Sequence, residues 1–313
     1  MRFGSEKCKK IHIGKEYDEY RCVPLYVENW KEKEIENEPE EPSETVKINI
    51  VDVCEGEEEM ELKDEEKYLG EMISKDGRNL KNIRARVNKG IGIMKNILNL
   101  LDGIPFGKFY HEVAIILRNS LFVSSVLYNS EVWYNLTKAE LNLLESVDVD
   151  LLRGILKAPK STPKEMLFLE LGILPLREIL RKRRLGFLHY ILQQKSDSII
   201  RKVFEAQKKY PTSKDWVTMV KNDLREINMK TTFLEIEQMK KNEFMNIIKR
   251  KIEHKSLQDL NTIKETHSKV RNLEHQVLKM QNYLLPNENN LKFEDTNLIF
   301  MLRCTDVKIN KKS

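Results

Sequence analysis

The stretch Lys67-Tyr68-Leu69-Gly70-Glu71-Met72-Ile73-Ser74-Lys75-Asp76-Gly77-Arg78 decides how the rest of the chain is read. Tyr68, Met72 and Ile73 suit a half-buried pleated surface, so Tyr68 to Ser74 is predicted as a strand. Asp76-Gly77 then supplies the small polar and positive-φ residues of a tight turn. Asn79 follows as the N-cap of a long helix. Ahead of this stretch the chain reads as short strands and acid; beyond it, nearly all helix.

In the helix after Asn79, Ile83, Val87, Ile91, Met94, Leu98 and Leu101 recur at spacings of three and four, which gathers them on one face. Lys81, Arg84 and Lys95, with Asn88, fall on or near the opposite face. Such a face is either solvated or a surface for phosphates. Upstream, Cys8 to Ile13, Cys22 to Val27 and Val46 to Val53 read as strands of a small sheet that Tyr68 to Ser74 joins. The charge runs between them, with Pro39 and Pro42, favour exposed loop.

Downstream, Lys108 to Tyr128 is apolar on almost every face, which predicts a buried central helix after a turn at Pro105 and Gly107. Trp133 and Tyr134 follow at its end, where the Trp either stacks on a base or caps the core, the second being the commoner use of a helix-adjacent aromatic. Thr137 with Glu140 is a capping box opening an amphipathic helix through Leu141, Leu144, Leu151 and Ile155. Thr162 with Glu165 reads as a second start, closed by Gly172, and Pro175 begins the next helix. That helix carries Arg177, Arg181, Lys182, Arg183 and Arg184, then Phe187, His189 and Tyr190. Its basic tetrad fits a nuclear import signal, a phosphate contact or a solvated face.

Thr212 to Asp215 caps a helix holding Trp216 and Val220. Near the end, Val270, Leu273, Val277, Met280 and Leu284 keep the alternation of a helix packed on another, its partner bearing Phe244, Ile247, Ile248 and Ile252. His254, His267 and His275 suit no helical metal face and are expected at the surface. The segment Phe300 to Ser313 reads as a polar tail. The fold class is therefore α+β, mostly α. A small antiparallel sheet within residues 1–78, with an acidic insert at 28–66, precedes a helical bundle at 79–195 and a helical extension at 196–313.

The formal charge of +5 hides an asymmetry: residues 28–66 hold 17 acidic and 4 basic side chains, leaving 50 basic and 32 acidic elsewhere, a surplus of +18. A basic body of this kind attracts polyanions. No apolar run is long enough for a membrane span and the amino terminus lacks a signal-peptide core, so the chain is expected to be intracellular. Cys8, Cys22, Cys54 and Cys304 form no CxxC pair, so neither a disulfide framework nor a zinc ribbon is expected.

Several pieces, in order, resemble the end of the palm and the thumb of reverse transcriptases from non-LTR, LINE-type retrotransposons. They are Tyr68-Leu69-Gly70, Ile73-Ser74, Asp76-Gly77 and Ile83-Arg84-Ala85-Arg86, then Leu127-Tyr128-Asn129-Ser130-Glu131-Val132-Trp133, where Asn129 stands at a position commonly Gly. Leu169 to Pro175 and Arg183-Arg184-Leu185 with Phe187-Leu188 resemble later segments of the same reading frames. Glu6 to Gly14 resembles the palm strand after the catalytic F/Y-A-D-D turn.

The resemblance implies a palm remnant, a thumb and a helical extension that grip RNA or an RNA–DNA hybrid. Lys81, Arg84, Arg86 and Lys95 would lie near primer-template, with Arg181, Arg183 and Arg184 as further contacts, and Tyr68, Leu69, Gly70, Asp76 and Gly77 as a primer-grip-like strand and turn. Two-metal polymerisation needs paired carboxylates. In the family these lie upstream of the matched segments, so the missing palm and fingers of the parent polyprotein would be a partner. Magnesium is expected only for the intact polymerase, no cofactor or metal for this chain, and the isolated chain is expected to extend no primer. Asp148 and Asp150, two apart on a helix, point away from each other. The rival readings are a helical protein–protein interaction scaffold and a non-functional pseudogene product.

Overall fold

The computed structural model describes residues 64–75, 77–103, 109–267, 270, 273, 275–285 and 293–304. The chain divides into two compact units, residues 1–78 and 79–313. In the first, the stretch expected as one strand is a hairpin: β1 (Glu65–Tyr68) pairs antiparallel with β2 (Glu71–Ser74), Tyr68 opposite Glu71. Leu69 and Gly70 make the two-residue turn with φ of 46° and 86°. Both values are positive, as the hairpin turn matching strand twist demands, and glycine at the second place removes half the steric cost. Tyr68 and Leu69 stand exposed at the tip, whereas Met72 and Ile73 are half-buried. Gly77, φ 63°, turns the chain again, its N–H donating to the Ser74 carbonyl at 3.0 Å. The strands expected at Cys8–Ile13, Cys22–Val27 and Val46–Val53, the acidic insert up to residue 63, and Asp76 lie outside the described residues.

The second unit is helical, and α1 (Leu80–Asp102) opens it. Asn79 precedes α1 as expected but does not cap it; its amide donates to the Tyr134 carbonyl instead. Ile83, Ile97 and Leu101 are fully buried, and α1 packs chiefly on α4 (Lys138–Leu156), whose Leu151, Leu152 and Ile155 are also fully buried. Each such side chain contributes about 1.5–3 kcal/mol by leaving water. The Thr137–Glu140 capping box at the start of α4 is fully formed.

Between them, α2 (Tyr110–Leu117) relaxes through a π-helical turn, Arg118–Val123, into the short α3 (Ser124–Val126). This segment is not buried all round: Ile116 is 63% and Leu121 43% exposed, because only the face turned to α1 and the core is covered. The π-turn holds Arg118, a charge in an otherwise apolar run. Its Nε and Nη2 donate to Asp148 Oδ1 and Oδ2 at 2.7 and 2.6 Å, with both side chains essentially inaccessible. Asn129 takes a left-handed conformation, φ 55°, to turn the chain toward Trp133, which is 2% exposed.

Next come α5 (Lys164–Leu171) and α6 (Leu176–Leu192). Pro163, not Thr162, occupies the cap position of α5, and Thr162 is buried. Gly172 ends α5 with φ +63°, and a Cβ there would lie 1.9 Å from the Lys279 backbone carbonyl carbon. No boundary falls at residue 195. Leu185, Leu188 and Ile191 of α6 share a second core with α7 (Ile199–Lys209), α8 (Trp216–Glu226), α9 (Phe233–Gln238) and α10 (Lys241–Asn261). Asp215 caps α8, accepting from the Thr218 N–H at 2.6 Å.

After the short α11 (Ile263–Thr266), the α-helix expected through Val270 and Leu284 is absent from the described residues, which hold a 3-10 turn at Asn282–Leu284 instead. Val270 and Leu284 are buried and Leu273 and Met280 half-buried, while Val277 is 61% exposed. The spacing thus reported burial rather than helix. Residues 275–285 run as a strap across the end of α5, the Gln281 N–H donating to the Glu170 carbonyl at 2.9 Å and so satisfying a helix-terminal acceptor. The expected polar tail begins as α12 (Phe293–Cys304), with Phe300 fully buried. No helix among the described residues is long and apolar enough to cross a membrane.

Candidate nucleic-acid interface

The outward face of α1 carries Lys81, Arg84, Lys89 and Lys95, all exposed. From Leu80 to Leu101 the helix contains no acidic residue. Its single carboxylate, Asp102, is engaged by Lys157, just past the end of α4, at 2.9 Å. A helix face that is merely solvated gains from mixing signs at i,i+4, and this one forgoes that. At 1.5 Å per residue, Lys81 and Lys95 stand roughly 21 Å apart along the axis, a stripe rather than a point. Lys89 escaped the sequence reading; eight residues after Lys81 it sits about 80° further round the helix, at the edge of this face.

The other arginines expected at the interface are placed differently. Arg86 is 5% exposed; it donates to the Ser125 carbonyl at 3.4 Å, and its guanidinium lies 5.0 Å from the centre of the Tyr128 ring. Arg183 donates to the Leu127 carbonyl, and burial lowers its pKa. Two guanidiniums thus meet the carbonyl end of α3, where the helix dipole favours cations. Arg86 is turned inward because it occupies the edge of the buried face of α1, two residues on from exposed Arg84 and three from fully buried Ile83.

The arginines of the basic tetrad of α6 are likewise engaged within the fold. Arg181, 9% exposed, is bound by Glu178 on its own helix and by Asp223 and Glu226 of α8. Arg184 is 3% exposed, with its Nε 3.2 Å from Asp223 Oδ2 in an ion pair too poorly aligned for a hydrogen bond. Burial raises the Asp223 pKa against the lowering effect of Arg184 and Arg181, and burial lowers that of Arg184. Arg177 clamps Glu145 of α4. Arg181 and Arg184 therefore join α6 to α8 and are not contacts for phosphate, nor is the tetrad an exposed import signal. They sit at i and i+3 on α6, the side that packs on α8, and the apolar periodicity around them did not show this because an arginine stem can lie along a core.

Of the strand and turn, Tyr68, Leu69 and Gly70 form the exposed hairpin tip and Gly77 the following turn. Asp148 is locked to Arg118, and Asp150 is exposed and paired to Arg153 at 3.3 Å. Among the described residues no group of three or more His, Cys, Asp or Glu could hold a metal ion.

The sequence also missed a buried hub. Glu170 accepts from Tyr283 Oη at 2.6 Å and from Arg303 Nη2 at 3.0 Å, and its Oε1 lies 3.0 Å from His275 Nε2. Burial works against its ionisation, but these partners prevail and its pKa is lowered. His275, expected at the surface, is 5% exposed, whereas His254 and His267 are exposed as expected. The hub pins the strap and α12 to α5; with Glu170 and the His275 side chain wholly inaccessible, it offers no room to a substrate.

No family model, curated protein or solved structure matches the chain.

Proposed function

We propose that the chain is the thumb-like, nucleic-acid-gripping part of a LINE-type reverse transcriptase, binding RNA or an RNA–DNA hybrid without performing polymerisation itself. The observation that carries this is the acid-free outward face of α1, with Lys81, Arg84 and Lys95 in one stripe and Lys89 at its edge. Its place directly after a hairpin and a glycine turn, and the left-handed Asn129 where the resembling sequences commonly have Gly, support the same reading. The function places the chain inside the cell and gives it no metal chemistry of its own; magnesium would act with carboxylates of the parent polymerase.

Four phosphate contacts predict that log affinity falls with log salt at a slope of about −3 to −4. Arg84→Gln with Lys95→Gln should flatten it by about 2 while leaving the fold intact. A labelled RNA–DNA hybrid in fluorescence anisotropy reads both. No binding at low salt, or a slope indifferent to these two residues, would refute the function.

A scaffold role has one observation of its own. On α7, Ile199 is 82% and Val203 52% exposed, four residues apart and so on one side of the helix, and Tyr210 just past its end is 69% exposed. A stable protein complex insensitive to salt would favour that reading over nucleic-acid binding.

A further inference from the structure

A cleft of about 440 Å3 lies where the C-terminal end of α6 meets the α9–α10 junction, at the opposite end of α6 from Arg177. Its size is within the range that holds a small ligand. Three features give it a chemical preference. Tyr190 is 52% exposed, with its inner face stacked on Phe187 at 5.8 Å between centroids and 14° between planes. One flat aromatic face is therefore held rigid and left open. Lys240 and Lys241, which also line the cleft, are exposed and make no ion pair.

The acidic member of the lining, Glu237, is answered by Arg201 at 3.3 Å, so the cleft's uncompensated charge is positive. The junction is also fixed in place. His189, 4% exposed and stacked on Phe244, donates from Nε2 to the Met239 carbonyl at 2.9 Å, and Gln193 donates to the Glu237 carbonyl at 2.6 Å. The lysines are thus presented from a backbone that does not have to be ordered by the ligand, which lowers the cost of binding.

We propose that this cleft binds one phosphorylated nucleoside, its base stacked on the open face of Tyr190 and its phosphate between Lys240 and Lys241. The inference rests on the nucleic-acid reading above and adds to it a second contact point, distinct from α1, that takes an unpaired nucleotide. The same chemistry is offered by a free mononucleotide and by a residue of a single strand. Base–aromatic stacking is tolerant of base identity, so no strong sequence preference is expected.

The test compares fluorescence anisotropy of a labelled oligouridylate and of a labelled RNA–DNA hybrid on the full chain. Tyr190→Ala should weaken the oligouridylate roughly fivefold or more, the range of a lost base stack. Tyr190→Phe should retain it. Lys240→Gln with Lys241→Gln should weaken the strand and flatten its salt dependence by about 1 to 2. Hybrid binding should be unchanged in all three. Competition with uridine monophosphate separates the sources: displacement of the strand marks a site that takes free nucleotides, and its absence marks one that reads a strand.

Equal loss of strand and hybrid in Tyr190→Ala, or no loss of either, would overturn the cleft. Hybrid binding by the wild type with no strand binding would overturn the cleft and leave the α1 interface standing. Failure of both ligands on the wild type would remove the underlying function as well. Circular dichroism of each variant confirms that an exposed residue has been changed without loss of fold.

Discussion

Replacing Asp148 by Asn changes one oxygen for a nitrogen at a fully inaccessible carboxylate. The shape is kept and one acceptor survives, but the guanidinium of Arg118, 1% exposed, loses its counterion. Its remaining partners are neutral: the Leu174 carbonyl at 3.3 Å and the Asn119 side chain at 3.1 Å. Neither offsets the desolvation of a full positive charge, and breaking a buried pair in this way costs about 3–5 kcal/mol. Domains of this kind have about 5–15 kcal/mol in total, so the loss is a large fraction of it. Urea titration followed by circular dichroism should show the midpoint falling by about 1–2 M at unchanged slope. Replacing both partners, Arg118→Met with Asp148→Leu, should recover most of the loss, since two apolar side chains of similar size need no counterion. A loss under about 1 kcal/mol for Asp148→Asn, or a double variant no better than the single one, would refute the assignment of this pair as a buried, mutually dependent charge.

His111 should make stability fall with acid. Burial holds its pKa at about 4, against 6.5 in an unfolded chain, so above pH 6.5 neither state takes a proton and the stability is whole. As pH falls toward 4 the unfolded state alone is protonated, and the penalty grows to roughly 3 kcal/mol; the gap between wild type and His111→Asn should narrow by about 2 kcal/mol from pH 7 to pH 5. Gly172→Ala should destabilise by more than the ~1 kcal/mol cost of a left-handed alanine, because its Cβ would meet the Lys279 and Met280 backbone, and the strap must move. Differential scanning fluorimetry checks this, and an unchanged melting temperature contradicts it. Glu170→Gln removes the charge that Arg303, Tyr283 and His275 share, so limited proteolysis should cut within residues 275–304 well before the rest of the chain. Uniform resistance would show that the hub does not hold the strap.

The elements with strong local signals were legible in the sequence. The Thr137 capping box, the Gly172 stop, the Asp215 cap and the apolar face of α1 each rest on interactions within a few residues, and each is where the residues say it should be. What could not be read depends on partners far away. Tyr68 to Ser74 looked like one strand because a Leu-Gly pair is a weak turn signal beside Asp-Gly, yet the backbone reverses there. Arg86, Arg181 and Arg184 looked available for phosphate because burial of a guanidinium is decided by carbonyls and carboxylates 39 to 45 residues off. Within the candidate site, the exposure of Lys81, Arg84 and Lys95 on α1 was legible from helical spacing, whereas Lys89 was missed and the Tyr190 cleft needed the α9–α10 junction to be in place.

The Glu170 hub also sets a timetable for synthesis. Its partners lie 105, 113 and 133 residues downstream, and α5 around it is otherwise a core helix. At ribosomal rates of about 5–20 residues per second, its last partner emerges on the order of ten seconds or more after Glu170 itself. Until His275 and Tyr283 have been made the nascent chain holds a carboxylate beside Leu169 and Leu171 without these partners, and Arg303 of α12 is the last of the three to arrive. The order of synthesis therefore delivers the charge that answers Glu170 last, with Arg303.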